Sequence, residues 1–210
     1  MLVGGHGPVL PCGALCPGCE GQLGRWGSYR RWVRRAGEVL PLRVRRAICR
    51  SCGATHAVLP SFLYGRRLDL AEVIFGGLVA GARGRGHRRV AAAARVPQTT
   101  ARGWLRRARR DADRRRAYFA GLATELGAIS ARPPPHGCAL GLLVEAIGEA
   151  RRAAAERFGA AAVGSLGSFS AAACRGALLA NTSPLFADLR SAARVGADTR
   201  SGSLKEDTDE

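Results

Sequence analysis

The stretch CPGC, residues 16–19, and its counterpart CRSC, residues 49–52, are two Cys-x-x-Cys motifs separated by 29 residues. Two residues between a pair of cysteines let one tight turn direct both sulfur atoms at a single ion, and four thiolates complete a tetrahedron. Gly18 and Gly53 are turn formers that allow backbone N–H groups to point at the thiolates and offset their charge. Four protein ligands leave no open coordination position, which argues against a catalytic centre. The pattern predicts one structural zinc ion (Zn2+), held by Cys16, Cys19, Cys49 and Cys52.

The other cysteines do not indicate a disulfide framework or redox chemistry. The chain has seven cysteines, an odd number, and its first residues lack the features of a signal peptide. A redox Cys-x-x-Cys motif stands alone beside a βαβ pattern, whereas two motifs occur here without such a pattern. Cys12 is kept as an alternative ligand because it lies shortly before Cys16, and His56 is expected at the surface of a strand.

The segment between the two motifs is typical of β-strands. Residues 25–35, RWGSYRRWVRR, and residues 39–49, VLPLRVRRAIC, combine β-forming side chains with alternating arginines. Residues 36–38 supply a turn between them, and residues 55–60, THAVLP, supply a short third strand. Two metal-binding turns joined to three strands predict a zinc ribbon over residues 12–64.

The pattern of apolar residues changes to that of helices after the ribbon. Asp69 is the expected N-cap of a first helix, in which apolar residues recur at helical spacing. Two further helices are predicted over residues 87–95 and about 98–116. Pro97 cannot continue the first of these and suits the cap region of the second. We expect a helix-turn-helix over residues 68–117, packed through Val90, Ala94, Val96, Ala101, Trp104 and Leu105.

The positive charge of the chain is concentrated in its first half. Residues 1–116 contain 24 arginines and 6 acidic residues, whereas residues 117–210 contain 9 basic and 10 acidic residues. A GC-rich coding sequence also raises the frequency of arginine, but that bias does not explain why the excess lies in one half. A strongly basic module joined to a neutral one is typical of nucleic-acid-binding proteins.

The outward side of the last predicted helix of this module carries side chains suited to reading DNA. Amide and hydroxyl groups at the helix start reach base edges, and guanidinium groups contact guanine or phosphates. The arginines of the ribbon are expected to follow the phosphate backbone. An ordinary basic, solvated helix is the alternative interpretation. The candidate DNA-binding residues are Gln98, Thr99, Thr100, Arg102, Arg106 and Arg107 on the helix and Arg30, Arg31, Arg34, Arg43 and Arg45 on the ribbon.

The chain resembles a bacterial family of uncharacterised proteins that joins a zinc ribbon to a helix-turn-helix. The resemblance rests on CPGC, GRWGSYRRWVRR and RVRRAICRSCGATHAVLPSFL, followed by RRVAAAARVPQTTARGWLRR, and covers about residues 12–116. That family is similar to the N-terminal, DNA-end-binding parts of insertion-sequence transposases. The resemblance implies DNA binding, with the four cysteines as ligands and the second helix of the helix-turn-helix as the reader.

Three positions depart from the pattern of that family. Arg95 stands where the turn usually has glycine, so we expect a left-handed or altered turn on a residue that disfavours it. Ala101 replaces a larger aliphatic residue that anchors the reading helix. Gly103 lies inside that helix, where it costs about 1 kcal/mol relative to alanine. These departures imply a weakened or divergent reader.

The second half of the chain predicts further helices. Residues 132–137, RPPPHG, are expected to form a stiff linker or helix stop, and residues 138–159 form an amphipathic pattern. Packing on a neighbouring helix is the first interpretation of that pattern, and a dimerisation helix is the second. A weaker helix is expected over residues 166–180, and the acidic end of the chain is expected to be disordered. The apolar face of the amphipathic helix is predicted to carry Leu140, Leu143, Val144, Ile147, Ala154 and Phe158.

Nothing in the sequence indicates a catalytic centre. Nuclease-type transposases hold two metal ions with acidic residues on a mixed sheet, but acidic residues are few here and residues 117–210 show no βαβ succession. Asp111 and Asp113 are expected to pair with neighbouring arginines. The glycine-rich stretch GARGRG follows a helix and not a strand, which excludes a nucleotide-binding loop. We therefore do not expect an enzyme.

These features predict a mostly α protein with a small N-terminal β zinc ribbon. The expected organisation is a zinc ribbon (12–64), a helix-turn-helix (68–117), a helical C-terminal region (118–190) and a disordered acidic tail (191–210). The expected function is zinc-dependent binding of double-stranded DNA by a cytoplasmic, transposase-like or regulator-like protein that does not enter membranes. The alternatives are an RNA-binding zinc ribbon and an inactive transposase remnant that acts through protein contacts. A homodimer through the C-terminal helices is a further expectation.

Overall fold

The computed structural model describes residues 13–35, 37–128 and 137–180, and Cys12, Ala36, most of the predicted linker and the acidic tail lie outside these residues. A small antiparallel sheet comes first and helices follow, which confirms the predicted fold class. The elements are β1 (Leu23–Arg35), β2 (Glu38–Cys49), β3 (Thr55–Val58), α1 (Ala71–Ala82), α2 (His87–Ala94), α3 (Gln98–Arg110), α4 (Ala112–Glu125), α5 (Ala139–Phe158), α6 (Ala160–Val163) and α7 (Leu166–Ala173).

The sheet is a three-stranded meander in the order β1-β2-β3. Both strand pairs are antiparallel, and a bulge interrupts β1 between Arg25 and Gly27. Besides Cys49, the buried hydrophobic residues of the three described strands are Val33, Val44 and Ala47, and none of them joins the helical core. A small sheet with so little apolar burial needs another source of stability.

Two arginines of β1 attach the sheet to the segment that leads into the helices. The Arg31 guanidinium donates hydrogen bonds to the carbonyl oxygens of Tyr64, at 3.0 Å, and of Arg67. The Arg34 Nε atom lies 3.4 Å from Oδ1 of Asp69, a carboxylate that is almost completely buried. Both side chains, which the sequence assigned to phosphate contacts, therefore have partners within the chain.

The predicted N-cap role of Asp69 is wrong. Helix α1 begins at Ala71, and its N-cap residue Leu70 makes no side-chain cap hydrogen bond. The Asp69 carboxylate is used by Arg34 instead, because a buried carboxylate requires a charged partner more than the helix end requires a cap.

Helices α1 to α5 and α7 share a single hydrophobic core. Glycines in α1 let the neighbouring helices approach closely: a Cβ atom on Gly77 would lie 3.0 Å from Val90 and 3.3 Å from Trp104. A Cβ atom on Gly81 would collide with Leu105 in the same way. The predicted boundary between residues 117 and 118 falls inside α4, whose buried residues belong to this core.

The connection between α2 and α3 contains a left-handed residue, one of the two outcomes expected at Arg95. Arg95 has φ 52° and ψ 48°. Its N–H donates to Ala92 O at 3.3 Å, and the N–H of Val96 donates to Ala91 O at 3.1 Å. This pair of bonds is the Schellman motif, which places its left-handed residue just after the helix and usually uses glycine there.

The predicted long helix over residues 98–116 is instead two helices, α3 and α4, separated at Asp111. The buried Arg115 donates to the carbonyl oxygens of Arg107, at 2.6 Å, and of Ala108, at 3.3 Å. It also lies 3.5 Å from the Asp111 carboxylate, which confirms the predicted pairing of that acid with an arginine. The last carbonyl groups of a helix have no N–H partner within that helix. The Arg115 guanidinium donates hydrogen bonds to two of these groups, which stabilises the end of α3 at this position.

The C-terminal helices differ from their prediction at two places. Most of the predicted apolar face of α5 is buried, but Phe158, its last residue, is 60% exposed with the Arg157 guanidinium 5.6 Å from its ring. Helix α7 ends at Ala173 and not at residue 180, because Arg175 (φ 50°) and Gly176 (φ 76°) turn the chain. Neither the exposure of Phe158 nor the turn after α7 can be inferred from the periodicity of the apolar residues.

We predict that Arg95→Gly stabilises the protein by about 0.5–1 kcal/mol, since it removes left-handed strain but adds freedom to the unfolded chain. Urea unfolding of the metal-loaded protein measures the change. The control is Arg89→Gly, which removes another exposed arginine from the first turn of α2, where there is no left-handed strain to relieve, and should destabilise the protein by up to about 1 kcal/mol. Destabilisation by both substitutions would show that the turn at Arg95 is not strained.

Candidate metal centre and basic surfaces

The two Cys-x-x-Cys motifs form the same backbone turn. The N–H of Cys16 donates to Gly21 O at 2.8 Å, and its carbonyl accepts from the N–H of Glu20 at 2.9 Å. The second motif repeats both bonds around Cys49, at 2.9 and 3.1 Å. The residue after each second cysteine is left-handed, with φ 58° at Glu20 and φ 72° at Gly53. The equivalence of the two turns explains how they face each other with four sulfur atoms between them.

Backbone N–H groups point at the sulfur atoms, as the turn composition predicted. The Gly18 N atom lies 3.5 Å from Cys16 Sγ, and the N atoms of Ser51 and Cys52 lie 3.4 and 3.5 Å from Cys49 Sγ. The Cys52 N–H, followed by that of Ser51, lowers the pKa of the Cys49 thiol to about 6 against the opposing effect of burial. These N–H groups therefore favour the thiolate form of Cys49, which is the form that binds a metal.

The four cysteines that the sequence selected lie together. Their Sγ atoms are all within 4.8 Å of one another, with Cys16 and Cys52 3.8 Å apart and Cys19 and Cys49 3.4 Å apart. A tetrahedral metal–thiolate centre with bonds of about 2.3 Å has edges of about 3.8 Å. The donor set therefore fits a four-coordinate metal ion, with every coordination position taken by the protein.

The protonation of the cluster shows why a cation belongs there. The Gly21 N–H lowers the pKa of the Cys19 thiol, but the neighbouring Cys52 and Cys49 sulfur atoms outweigh it and raise that pKa to about 12. Thiolates this close repel one another, so the cluster holds its protons unless a cation replaces them.

His56 lies closer to this centre than the sequence indicated. We expected a surface residue, but pairing of β3 with β2 places His56 opposite Ala47, and its Nε2 atom is 3.4 Å from Cys16 Sγ. An imidazole N–H at that position donates a hydrogen bond to a ligating sulfur and stabilises its negative charge without itself being one of the four metal ligands. The sequence signal for this contact was only the position of His56 shortly after the second motif.

Helix α3 has one buried side and one basic side. Its buried residues Ala101, Trp104, Leu105 and Ala108 recur at helical spacing and pack into the core. The candidate DNA-binding residues Gln98, Thr99, Arg102 and Arg106 are exposed, whereas Thr100 and Arg107 are half-buried. The predicted division of this helix into a packing side and an outward polar side is thus present in the structure.

The candidate arginines of the ribbon divide into two groups. Arg30 and Arg43 are exposed and face each other across β1 and β2, and Arg45 is half-buried. Arg31 and Arg34 hold the sheet to the following segment, as described above. Three aromatic side chains are also exposed on the sheet, namely Trp26 (57%), Tyr29 (38%) and Trp32 (50%).

Residues 16–104 match the model of a family described as a domain of unknown function, DUF6431. The match begins at the first cysteine of the cluster and ends within α3, so it includes the whole candidate metal centre and the connection at Arg95. No curated protein and no solved structure matches the chain. In the described ranges, no helix has the length and apolar character needed to cross a membrane.

We predict that Gly21→Ala lowers metal affinity at least tenfold, or about 1.4 kcal/mol. A Cβ atom on Gly21 would lie 2.7 Å from Ser51 Cβ and 3.0 Å from Cys49 Sγ, so it would push the two turns apart. The matched control is Gly18→Ala, because a Cβ atom there meets only Cys16 Sγ, at 3.9 Å. Competition with a chromogenic chelator measures both affinities. Equal losses in the two variants would contradict the role given to Gly21.

Proposed function

We propose that the chain is a zinc-dependent, double-stranded-DNA-binding protein, similar in its N-terminal part to the end-binding regions of transposases or to transcriptional regulators. The observation that carries this proposal is the exposed polar and basic side of α3, which lies opposite the side that packs into the core. The proposed role is binding without catalysis.

Zinc is the metal that we propose for the cluster. Four cysteine thiolates in a closed tetrahedral set are typical of structural zinc, which has no preference for another geometry and no redox chemistry. The ligands must be reduced to bind, so we propose that the protein works in the cytoplasm, where thiols stay reduced and DNA is present.

Helix α3 is the proposed reader. A helix of its 13 residues is about 20 Å long, and the major groove, about 12 Å wide, admits one helix. Gln98 and Thr99 stand at the exposed start of the helix, where an amide and a hydroxyl group reach base edges. Arg102 and Arg106 follow one and two turns later, in position to contact guanine or phosphates.

Exposed arginines outside α3 supply the proposed phosphate contacts. Arg88 and Arg89 lie at the start of α2, the helix that precedes the reader, and Arg30 and Arg43 lie on the sheet. The ion pair of Arg34 and the hydrogen bonds of Arg31 commit those two side chains to the fold, so we leave them out of the proposed interface.

A second candidate function is binding of single-stranded RNA or DNA by the sheet. Trp26, Tyr29 and Trp32 expose ring surface among arginines, and exposed aromatic rings stack on unpaired bases. This function would use β1 and not α3, so a preference for single strands over duplex separates the two candidates.

The remaining alternative is a transposase remnant that acts through protein contacts. On α5, the exposed end around Phe158 is the apolar surface available to a homodimer through the C-terminal helices, because the other apolar residues of that helix are mostly buried within the chain. A folded, zinc-loaded sample with no affinity for nucleic acid would support this alternative.

The proposal is tested by selecting a random duplex library on the zinc-loaded full chain near physiological salt and sequencing the bound pool. We expect a recurrent motif, and about a tenfold or greater loss of affinity for that motif in Arg102→Ala, since one base contact contributes about 1–3 kcal/mol. Gln98→Ala should relax the motif at one position.

The matched control for this experiment is Arg152→Ala, which removes an exposed arginine from α5 instead of α3. It should leave the motif and the affinity unchanged. Sequence reading by α3 would be contradicted if duplex DNA is retained without any motif, if added salt weakens that binding steeply, and if Arg102→Ala and Arg152→Ala weaken it equally.

A further inference from the structure

A cavity of about 480 Å³ lies where three separate segments of the chain meet. The segments are the loop at residues 65–67, helix α3 and the turn that follows α7. Half of the lining residues are arginines, and the others are glycine and alanine, so the lining contains no carboxylate. The lining residues are Gly65, Arg66, Arg67, Arg107, Arg175, Gly176, Ala177 and Ala180.

The two turns that form the cavity are fixed against each other. The N–H of Gly65 donates to Gly176 O at 2.8 Å, and a Cβ atom on Gly176 would lie 3.0 Å from Gly65 N. Gly176 also has φ 76°, so its position favours glycine for the backbone conformation as well as for the close approach. Next to each glycine stands an arginine in the left-handed region, Arg66 with φ 57° and Arg175 with φ 50°. Such conformations persist where the surroundings hold them, and they are concentrated at functional sites.

The positive charge of the cavity is not compensated within the described part of the chain. None of its four arginines forms an ion pair there. The Arg67 guanidinium donates to Leu179 O at 2.7 Å, while its Nε atom is buried without a hydrogen-bond partner among the described residues. Burial, followed by the charges of Arg107 and Arg66, lowers the pKa of Arg67. A bound anion would relieve this repulsion and take the free donors.

We propose that this cavity binds the phosphoryl group of a small phosphomonoester of about mononucleotide size. A phosphomonoester carries a charge of about −1.5 to −2 at neutral pH and three acceptor oxygens, which match a lining with four arginines better than the single charge of a diester does. A volume of about 480 Å³ is within the range of small-molecule sites and too small for a duplex to enter.

The site is independent of the proposed DNA binding, although it uses the same helix. Arg107, which the sequence assigned to DNA, is half-buried and lines this cavity, whereas Arg102 and Arg106 are exposed on α3. Of the residues of α3, Arg107 lines the cavity, so a ligand bound there would contact the helix through that side chain.

The test is calorimetric titration of the metal-loaded full chain with inorganic phosphate, with adenosine 5′-monophosphate and with adenosine. We expect saturable binding of the first two and none of adenosine. The double variant Arg66→Gln/Arg175→Gln should weaken binding of both phosphates at least tenfold. The matched control Arg83→Gln/Arg85→Gln removes two exposed arginines outside the cavity and should change binding less than twofold.

Absence of saturable phosphate binding, or equal losses in the two double variants, would overturn the proposal. Displacement of bound phosphate by a short duplex would also overturn it, because the cavity would then receive backbone phosphates of DNA. Failure of the chain to bind DNA would leave the phosphate result unaffected, so this proposal and the proposed function fail separately.

Discussion

The four-thiolate cluster is the interaction on which the N-terminal half of the structure depends. The described sheet buries Val33, Val44 and Ala47, and none of these residues joins the core that the helices share. Two equivalent turns carry the sulfur atoms at the end of the sheet, where Arg50 N donates to Gln22 O at 3.0 Å between them. Because the ligands meet only when the sheet is formed, the free energy of metal binding is also folding free energy for these strands.

The arginines of this chain have different structural roles, and the number of arginines in the sequence does not show which role each one has. Arg31 and Arg34 join the sheet to the helices, and the buried Arg115 takes up carbonyl groups at the end of α3. Arg67 and Arg107 line a cavity, whereas Arg102 and Arg106 are exposed on α3. An estimate of the nucleic-acid interface from net charge therefore counts several side chains that the fold already uses.

The sequence predicted the features that depend on short-range chemistry. The cysteine spacing identified the four clustered residues, and the alternation identified the strands. The left-handed turn at Arg95 was expected as one of two outcomes from the pattern of the resembled family, which usually has glycine there. It did not predict features set by contacts between distant segments. The pairing of Asp69 with Arg34 and the approach of His56 to the cluster both depend on tertiary packing.

Hydrogen exchange of the metal-loaded and the chelator-treated full chain, followed by mass spectrometry, tests the dependence of the sheet on the metal most directly. The account predicts that amides of β1 and β2 lose protection when the metal is removed, while those of α1 and α5, whose core does not include the cluster, keep it. A sheet that keeps its protection after complete removal of the metal would contradict the account.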